Sequence, residues 1–297
     1  MYATATSAAI ATTAGITTAT LIAAAALWGA AAGLLVSRAA YRLAVEPEEG
    51  WREACPAGHP FTGPARGWLG IARCAGCAAV GAAASGRTPA GAPHRRSAPV
   101  PYAPTVRHAA VTALACALLA AASGTGVRAG AGAEAVTGAR PELVVWLLLA
   151  PIAVLLAVVD RRVHRLPDVL TLPLAAATAA LLGLASLLPG HGGSWPTALL
   201  GGVALGGGYF LLFLINPNGM GFGDVKLAVA LGTALGWYGW TVFFTGAIAG
   251  FLLGAVYGVG LVILRRAGRR TAIPFGPFMI TGTLAGLLLG GLAVSAV

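Results

Sequence analysis

Apolar residues along this chain gather into long runs, broken by short polar stretches or by segments rich in glycine and proline. Eight runs predict helices, at about 14–36, 108–123, 142–159, 169–188, 197–215, 225–238, 240–264 and 277–296. Most approach the roughly 20 residues that carry a helix across a hydrocarbon layer, and the sixth is the shortest. Helices are expected because lipid offers no partner to a backbone N–H or C=O, so each must be paired within its own segment. No small-residue cleavage site and mature soluble domain follow the first run, Ile16 to Val36, so it reads as a span and not as a secretory signal.

Composition supports the same class. Of 297 residues, 58% are hydrophobic and 9% charged, whereas soluble domains carry about 25% charged residues. The expected fold is an all-α polytopic membrane protein of about eight transmembrane helices with one long cytoplasmic loop, and the lipid bilayer is its first partner. A net charge of +10 raises nucleic acid as a partner. The arginines sit in short segments between apolar runs, however, and not along one basic face, so no nucleic acid is expected. An outward N-terminus places nearly every arginine inside, leaving Arg128 and Arg140 outside, as the positive-inside rule requires. Trp146, Trp195, Trp237 and Trp240 then fall near outer helix ends, where interfacial anchors belong. The chain divides into a first transmembrane helix (1–37), a cytoplasmic loop (38–107) and a transmembrane core (108–297). Within the loop, Ser85 to Pro104 reads as an irregular linker.

There are three aspartates: Asp160, Asp168 and Asp224. Asp160 closes the apolar run from Leu147 to Val159, and Asp224 opens the run that begins Val225-Lys226-Leu227. A carboxylate at that depth costs a few kcal/mol unless paired or hydrated, which makes both functional candidates. The simpler alternative is that Asp224 caps a helix and Asp160 is an exposed loop residue. Gly221 and Gly223 alternate with other residues before Asp224, a pattern that permits positive φ and close approach of another backbone. Such a segment suits admission of an extended peptide. Both acids are expected at the inner ends of spans, where two adjacent carboxyl groups share one proton. One then serves as base toward a water, and the other as acid toward a scissile carbonyl.

These residues resemble the type IV prepilin peptidases, polytopic aspartyl proteases with a Gly-x-Gly-Asp motif. Asp160 with the following Leu166-Pro167-Asp168 is similar to the first catalytic aspartate and its downstream segment. Gly219 to Leu227, with Asp224, is similar to the second, and Ile273-Pro274-Phe275-Gly276-Pro277-Phe278 to the late Pro-Phe-Gly-Pro element. Arg42-Leu43 stands where the family often has Arg-Leu-Pro, with Ala44 replacing the proline. The resemblance is carried mainly from Val144 onward. It implies Asp160 and Asp224 as the catalytic pair, and Gly221, Gly223, Lys226, Pro274 and Gly276 as the surrounding active-site loops. It also implies cleavage of the short basic leader of pilin-like or pseudopilin-like precursors at the cytoplasmic face of a bacterial inner membrane. Many members then methylate the new N-terminus with S-adenosylmethionine; those members carry a long cysteine-bearing inner loop, as this chain does.

In that loop, Cys74-Ala75-Gly76-Cys77 forms a Cys-x-x-Cys knuckle suited to tetrahedral zinc. Family members often supply a second knuckle, but Gly58 stands where its last cysteine would be, and His59 follows. Cys55, His59, Cys74 and Cys77 are therefore expected to hold one structural zinc ion. The alternatives are a disulfide or free thiols, and a reducing cytosol disfavours the disulfide. Asp168 is expected to cap or hydrogen-bond at the start of the next helix. Lys226 either orients the leader and the carboxylates or extends to the inner surface. Cys116 reads as a packing residue, and the Gly201-Gly202 and Gly206-Gly207-Gly208 runs as close helix contacts. Two other functions remain open: a small transporter or channel using intramembrane acids, whose acids would lie nearer the bilayer midplane, and an inactive assembly scaffold.

Overall fold

A computed structural model describes residues 2–46, 49–74, 76–77, 105–123, 140–217, 220–264 and 274–295, with side chains from residue 18 to residue 294. Eight long helices follow one another among them: α1 (Tyr2–Leu43), α2 (Thr105–Ser123), α3 (Pro141–Val163), α4 (Asp168–Ala185), α5 (Trp195–Ile215), α6 (Phe222–Gly236), α7 (Trp240–Ile263) and α8 (Gly276–Ser295). The described residues contain no strand beyond one isolated bridge, Ala54 to Pro60. Seven of the helices are long and apolar enough to cross a membrane, so this is an all-helical, multi-pass membrane protein.

The exception is α6. Its 15 residues rise about 22 Å, short of the ~30 Å hydrocarbon layer. It is nonetheless laid between the same two levels as its neighbours. It starts beside Leu166 in the α3–α4 connection, and the carbonyl of Trp237 just beyond its end accepts the Ser194 N–H at the head of α5. Most of its residues are buried, because the other helices and not lipid surround it. A helix so enclosed has no need to reach the headgroups.

Glycine at four-residue spacing sets how closely the helices approach. Gly29 and Gly33 of α1 lie against Thr112, Ala113 and Ala109 of α2, where an added Cβ would stand 2.6–3.0 Å from backbone. Gly201 of α5 meets Gly232 and Gly236 of α6, and Gly250 of α7 meets Gly282 of α8. Without a hydrophobic drive between helices in lipid, such backbone contact is what holds them. Gly202 and Gly206 join the α5–α6 contact, while Gly207 and Gly208 face open space. Cys116 is fully buried against α1, as a packing residue.

The tryptophans divide. Trp195 and Trp240 are exposed, as anchors would be, but Trp146 and Trp237 are 3% and 1% exposed. Trp146 donates to the Tyr238 hydroxyl (3.3 Å) and so ties α3 to the end of α6. Buried tryptophan keeps its place there through packing and that bond, not through headgroups.

Helix α1 runs past its expected end, since no breaker intervenes before Pro47. Its last turns receive the loop. Arg38 donates to the Thr62 carbonyl (2.6 Å), Arg42 to the Arg66 carbonyl (3.2 Å), and the Arg42 guanidinium lies 3.8 Å from the Trp68 ring centroid. Trp68 also packs on the cluster of Ala40, Leu43, Leu155 and Val159, so the loop rests on the core one residue from Asp160.

Candidate active site

Asp160 is 4% exposed and sits in the last turn of α3, which ends at His164 in a left-handed conformation (φ 49°). Its Oδ2 accepts the Gly276 N–H at 2.9 Å. That N–H opens α8, and the first N–H groups of a helix lack partners inside it, so a carboxylate there gains both a hydrogen bond and the positive end of the dipole. An added Cβ on Gly276 would come within 2.9 Å of the same oxygen.

Asp224 is the third residue of α6 and 9% exposed. Its backbone N–H donates to the carbonyl of Gly221, the residue that caps the helix, at 3.0 Å, and its carboxylate lies back toward the Gly221 N–H. This is the reciprocal half of a capping box, with the acid in the first turn reaching back to the cap. The Asp160 and Asp224 carboxyl groups lie close enough to interact electrostatically, and Tyr209 of α5 faces Asp224 closely enough to do the same.

The two glycines of the motif have different tasks. Gly221 has φ −73° and Gly223 is absent from the positive-φ residues, so the expected positive φ is not used at either. Gly223 serves the other expectation: an added Cβ would meet the Leu166 Cβ at 2.8 Å and the Leu166 carbonyl oxygen at 3.1 Å. The connection after Asp160 is thereby pressed against the turn before Asp224. At Gly221 an added Cβ would stand 3.5 Å from Asp224 Oδ2, an ordinary contact. Gly219 lies outside the described residues.

Lys226 pairs with Asp168, Nζ to Oδ1 at 2.7 Å, and passes over the Phe222 ring. Its charge therefore joins the start of α4 to α6. Asp168 is in the first turn of α4 behind the cap residue Pro167, and its carboxylate takes Lys226 as its partner there. Pro274 and Phe275 lead into α8, and Phe275 stacks between Tyr209 (6.0 Å) and Phe251 (5.4 Å). Sequence reasoning passed over Tyr209. Its signal was a lone phenol among glycines and apolar residues of a span, after Gly206-Gly207-Gly208.

The loop gathers Cys55, His59, Cys74 and Cys77 with all four ligand atoms within 4.8 Å of one another. Cys55 Sγ is 3.7 Å from Cys77 Sγ and 3.6 Å from His59 Nδ1, and Cys77 Sγ is 3.4 Å from the same nitrogen. A tetrahedron with zinc–sulfur bonds of ~2.3 Å has edges of roughly 3.7 Å, so the donor set fits. Gly58 makes the fit possible. It turns at φ +83°, and its N–H bonds to the Cys55 carbonyl (2.8 Å) while the Cys55 N–H bonds to the His59 carbonyl (2.9 Å). Burial pushes the Cys55 thiol up, but hydrogen bonds from the Ala57 and His59 backbone and the His59 ring bring it down to about 6; Cys77 is pushed up to about 11 by burial and the neighbouring thiols. One thiolate forms readily and opposes the next, and a cation at the centre relieves that conflict. The four residues are a cluster able to hold a metal such as zinc; all four cysteines of the chain are unbridged.

A polytopic helical core in which two nearly buried aspartates converge at helix ends defines an intramembrane protein with paired acids. Residues 147–259, which include both, match the Type IV leader peptidase family. Among curated relatives, the "Prepilin leader peptidase/N-methyltransferase" of Aeromonas salmonicida (strain A449) is 34% identical over 152 residues, 48% of each chain. The protein of that name from Pseudomonas aeruginosa is 36% identical over 153 residues, 50% of this chain and 48% of its own. That from Burkholderia pseudomallei (strain 1026b) is 34% identical over 170 residues, 54% and 51%. The chain spans about half the length of the curated relatives it matches. No solved structure matches.

Proposed function

We propose that this protein is an intramembrane aspartyl endopeptidase that removes the short basic leader from type IV pilin-like or pseudopilin-like precursors. The observation that carries this reading is the meeting of Asp160, held by the Gly276 N–H, and Asp224, in the first turn of α6, at neighbouring helix ends. In the proposed reaction one carboxylate takes a proton from a water, whose oxygen bonds to the scissile carbonyl carbon, while the other carboxyl group protonates the carbonyl oxygen. Collapse of the tetrahedral species breaks the C–N bond, and the amine leaves with a proton returned from the pair. The Gly276 N–H fixes Asp160, and the first turn of α6 positions Asp224 beside it, through both steps. Arginines at the ends of α1, α2 and α3 support the reading that this end of the bundle faces the cytoplasm from a bacterial inner membrane.

In the loop, Cys55, His59, Cys74 and Cys77 would hold structural zinc, since four protein ligands leave no open position for chemistry. The ion would fix the fold that Arg38 and Arg42 dock onto α1. The relatives are named as N-methyltransferases as well, which supports a proposed second step here, methylation of the new N-terminal amine with S-adenosylmethionine as the methyl donor.

The test is incubation of the purified protein in detergent with a pilin-like precursor, read by mass. Loss of the leader is expected, and a further gain of one methyl group if the second activity is present. Asp160→Asn and Asp224→Asn should each abolish leader loss while the protein stays folded. Substantial cleavage by either variant would overturn the paired-acid reading, and an unchanged precursor with wild-type protein would favour a scaffold.

A further inference from the structure

Between α2, α3 and α8, and lined also by Leu174 of α4 and Leu231 of α6, lies a cleft of about 490 Å3 that the proposed reaction does not use. One stripe of α2 lines it, at Arg107, Val111, Ala115 and Leu119, and a matching stripe of α3 runs from Trp146 to Arg161 and Arg162. From Arg107 to Leu119 a helix rises about 18 Å, close to one leaflet of a ~30 Å hydrocarbon layer. Further along, Gly291 of α8 packs on Ala122 of α2. The walls are apolar; the charge is at one end.

That end carries three arginines. Arg107 and Arg162 both lie near the buried His108, which is held by Ser37 at 3.2 Å. Among the described residues no carboxylate pairs with Arg107, Arg161 or Arg162, since the ion pair found there is Lys226 with Asp168. A basic pocket between spans on the arginine-rich side has the charge pattern of an anionic headgroup site. Its apolar length is open to a hydrocarbon chain.

We propose that this cleft binds one anionic phospholipid, with an acyl chain along Val111, Ala153 and Leu284 and its phosphate against Arg107, Arg161 and Arg162. The inference needs only the membrane setting and is independent of the peptidase reading. Its headgroup would lie beside the α3 end that carries Asp160, since Arg161 is the next residue.

Protein stripped of native lipid is equilibrated with phosphatidylglycerol and phosphatidylcholine of matched chains, and retained lipid is counted by native mass spectrometry. Phosphatidylglycerol should be retained about tenfold or more over phosphatidylcholine. Arg107→Gln with Arg161→Gln should bring the two to parity, and Ala153→Leu with Ala157→Leu, which fills the apolar part and leaves the charges, should lower retention of both. Parity in the wild-type protein would overturn the proposal without recourse to any variant. So would retention that survives the leucine pair, which puts the lipid elsewhere, or thermal stabilisation by inorganic phosphate equal to that by phosphatidylglycerol, which makes the site one for a free anion.

Discussion

The backbone N–H of Gly276 donates to Oδ2 of Asp160 at 2.9 Å, joining the head of the last helix to the foot of the third. A hydrogen bond to a charged group is worth about 1.5–3 kcal/mol, and here it also fixes the direction of a carboxylate. Gly276→Ala should therefore displace Asp160, because the new Cβ would crowd the accepting oxygen. A misplacement of about 1 Å costs on the order of 100-fold in rate. Initial rates of leader release, with thermal unfolding as the control, check this; near wild-type rates would show that Asp160 tolerates the shift.

Gly223 and Gly221 should differ. Gly223→Ala brings a Cβ against Leu166 and should destabilise by about 1–3 kcal/mol through overpacking, with cleavage falling in step. Leu166→Ala in the same chain should recover part of the loss, and the double-mutant cycle measures the coupling. Gly221→Ala, which meets only an ordinary contact, should keep most of the activity.

Lys226 and Asp168 form a pair whose acid is 61% exposed. Such pairs contribute about 0–1 kcal/mol. Lys226→Met and Asp168→Asn should each leave cleavage within a few-fold of wild type, and raised salt should mimic both. A loss of cleavage in Lys226→Met that Asp168→Asn does not share would return the lysine to the reaction.

The paired acids should give a bell-shaped pH profile for cleavage whose two apparent pKa values belong to the pair. In Asp160→Asn the residual rate, where measurable, should no longer show both limbs. A profile flat across the carboxylate range would remove acid and base roles from both residues.

The loop should contain close to one zinc per chain by elemental analysis, in protein prepared without chelator. Cys74→Ser with Cys77→Ser should abolish it, and His59→Ala should lower it, since bound metal is folding free energy for a small loop. Full zinc in His59→Ala would place the fourth ligand elsewhere. Leader cleavage should persist in part, because the loop meets the core through Trp68 and the arginines of α1 and not through the acids themselves.

Much of this was legible along the chain. Apolar runs of span length, broken where proline, glycine or charge appears, located all eight helices, because lipid leaves the backbone no alternative. The two costly aspartates were legible for the same reason, since an acid that ends an apolar run has to be explained. So was the cluster of Cys55, His59, Cys74 and Cys77, whose ligands lie on one short loop. Only the tertiary structure decided which helix ends meet. Asp160, Asp224 and Gly276 belong to three helices whose register is set by glycine contacts between segments far apart in sequence, and no local periodicity records that register. The same packing gave Lys226 to Asp168, set Tyr209 beside Asp224, assigned close approach to Gly223 and not to Gly221, and left a cleft beneath three arginines that, read in order, looked like topology signals alone.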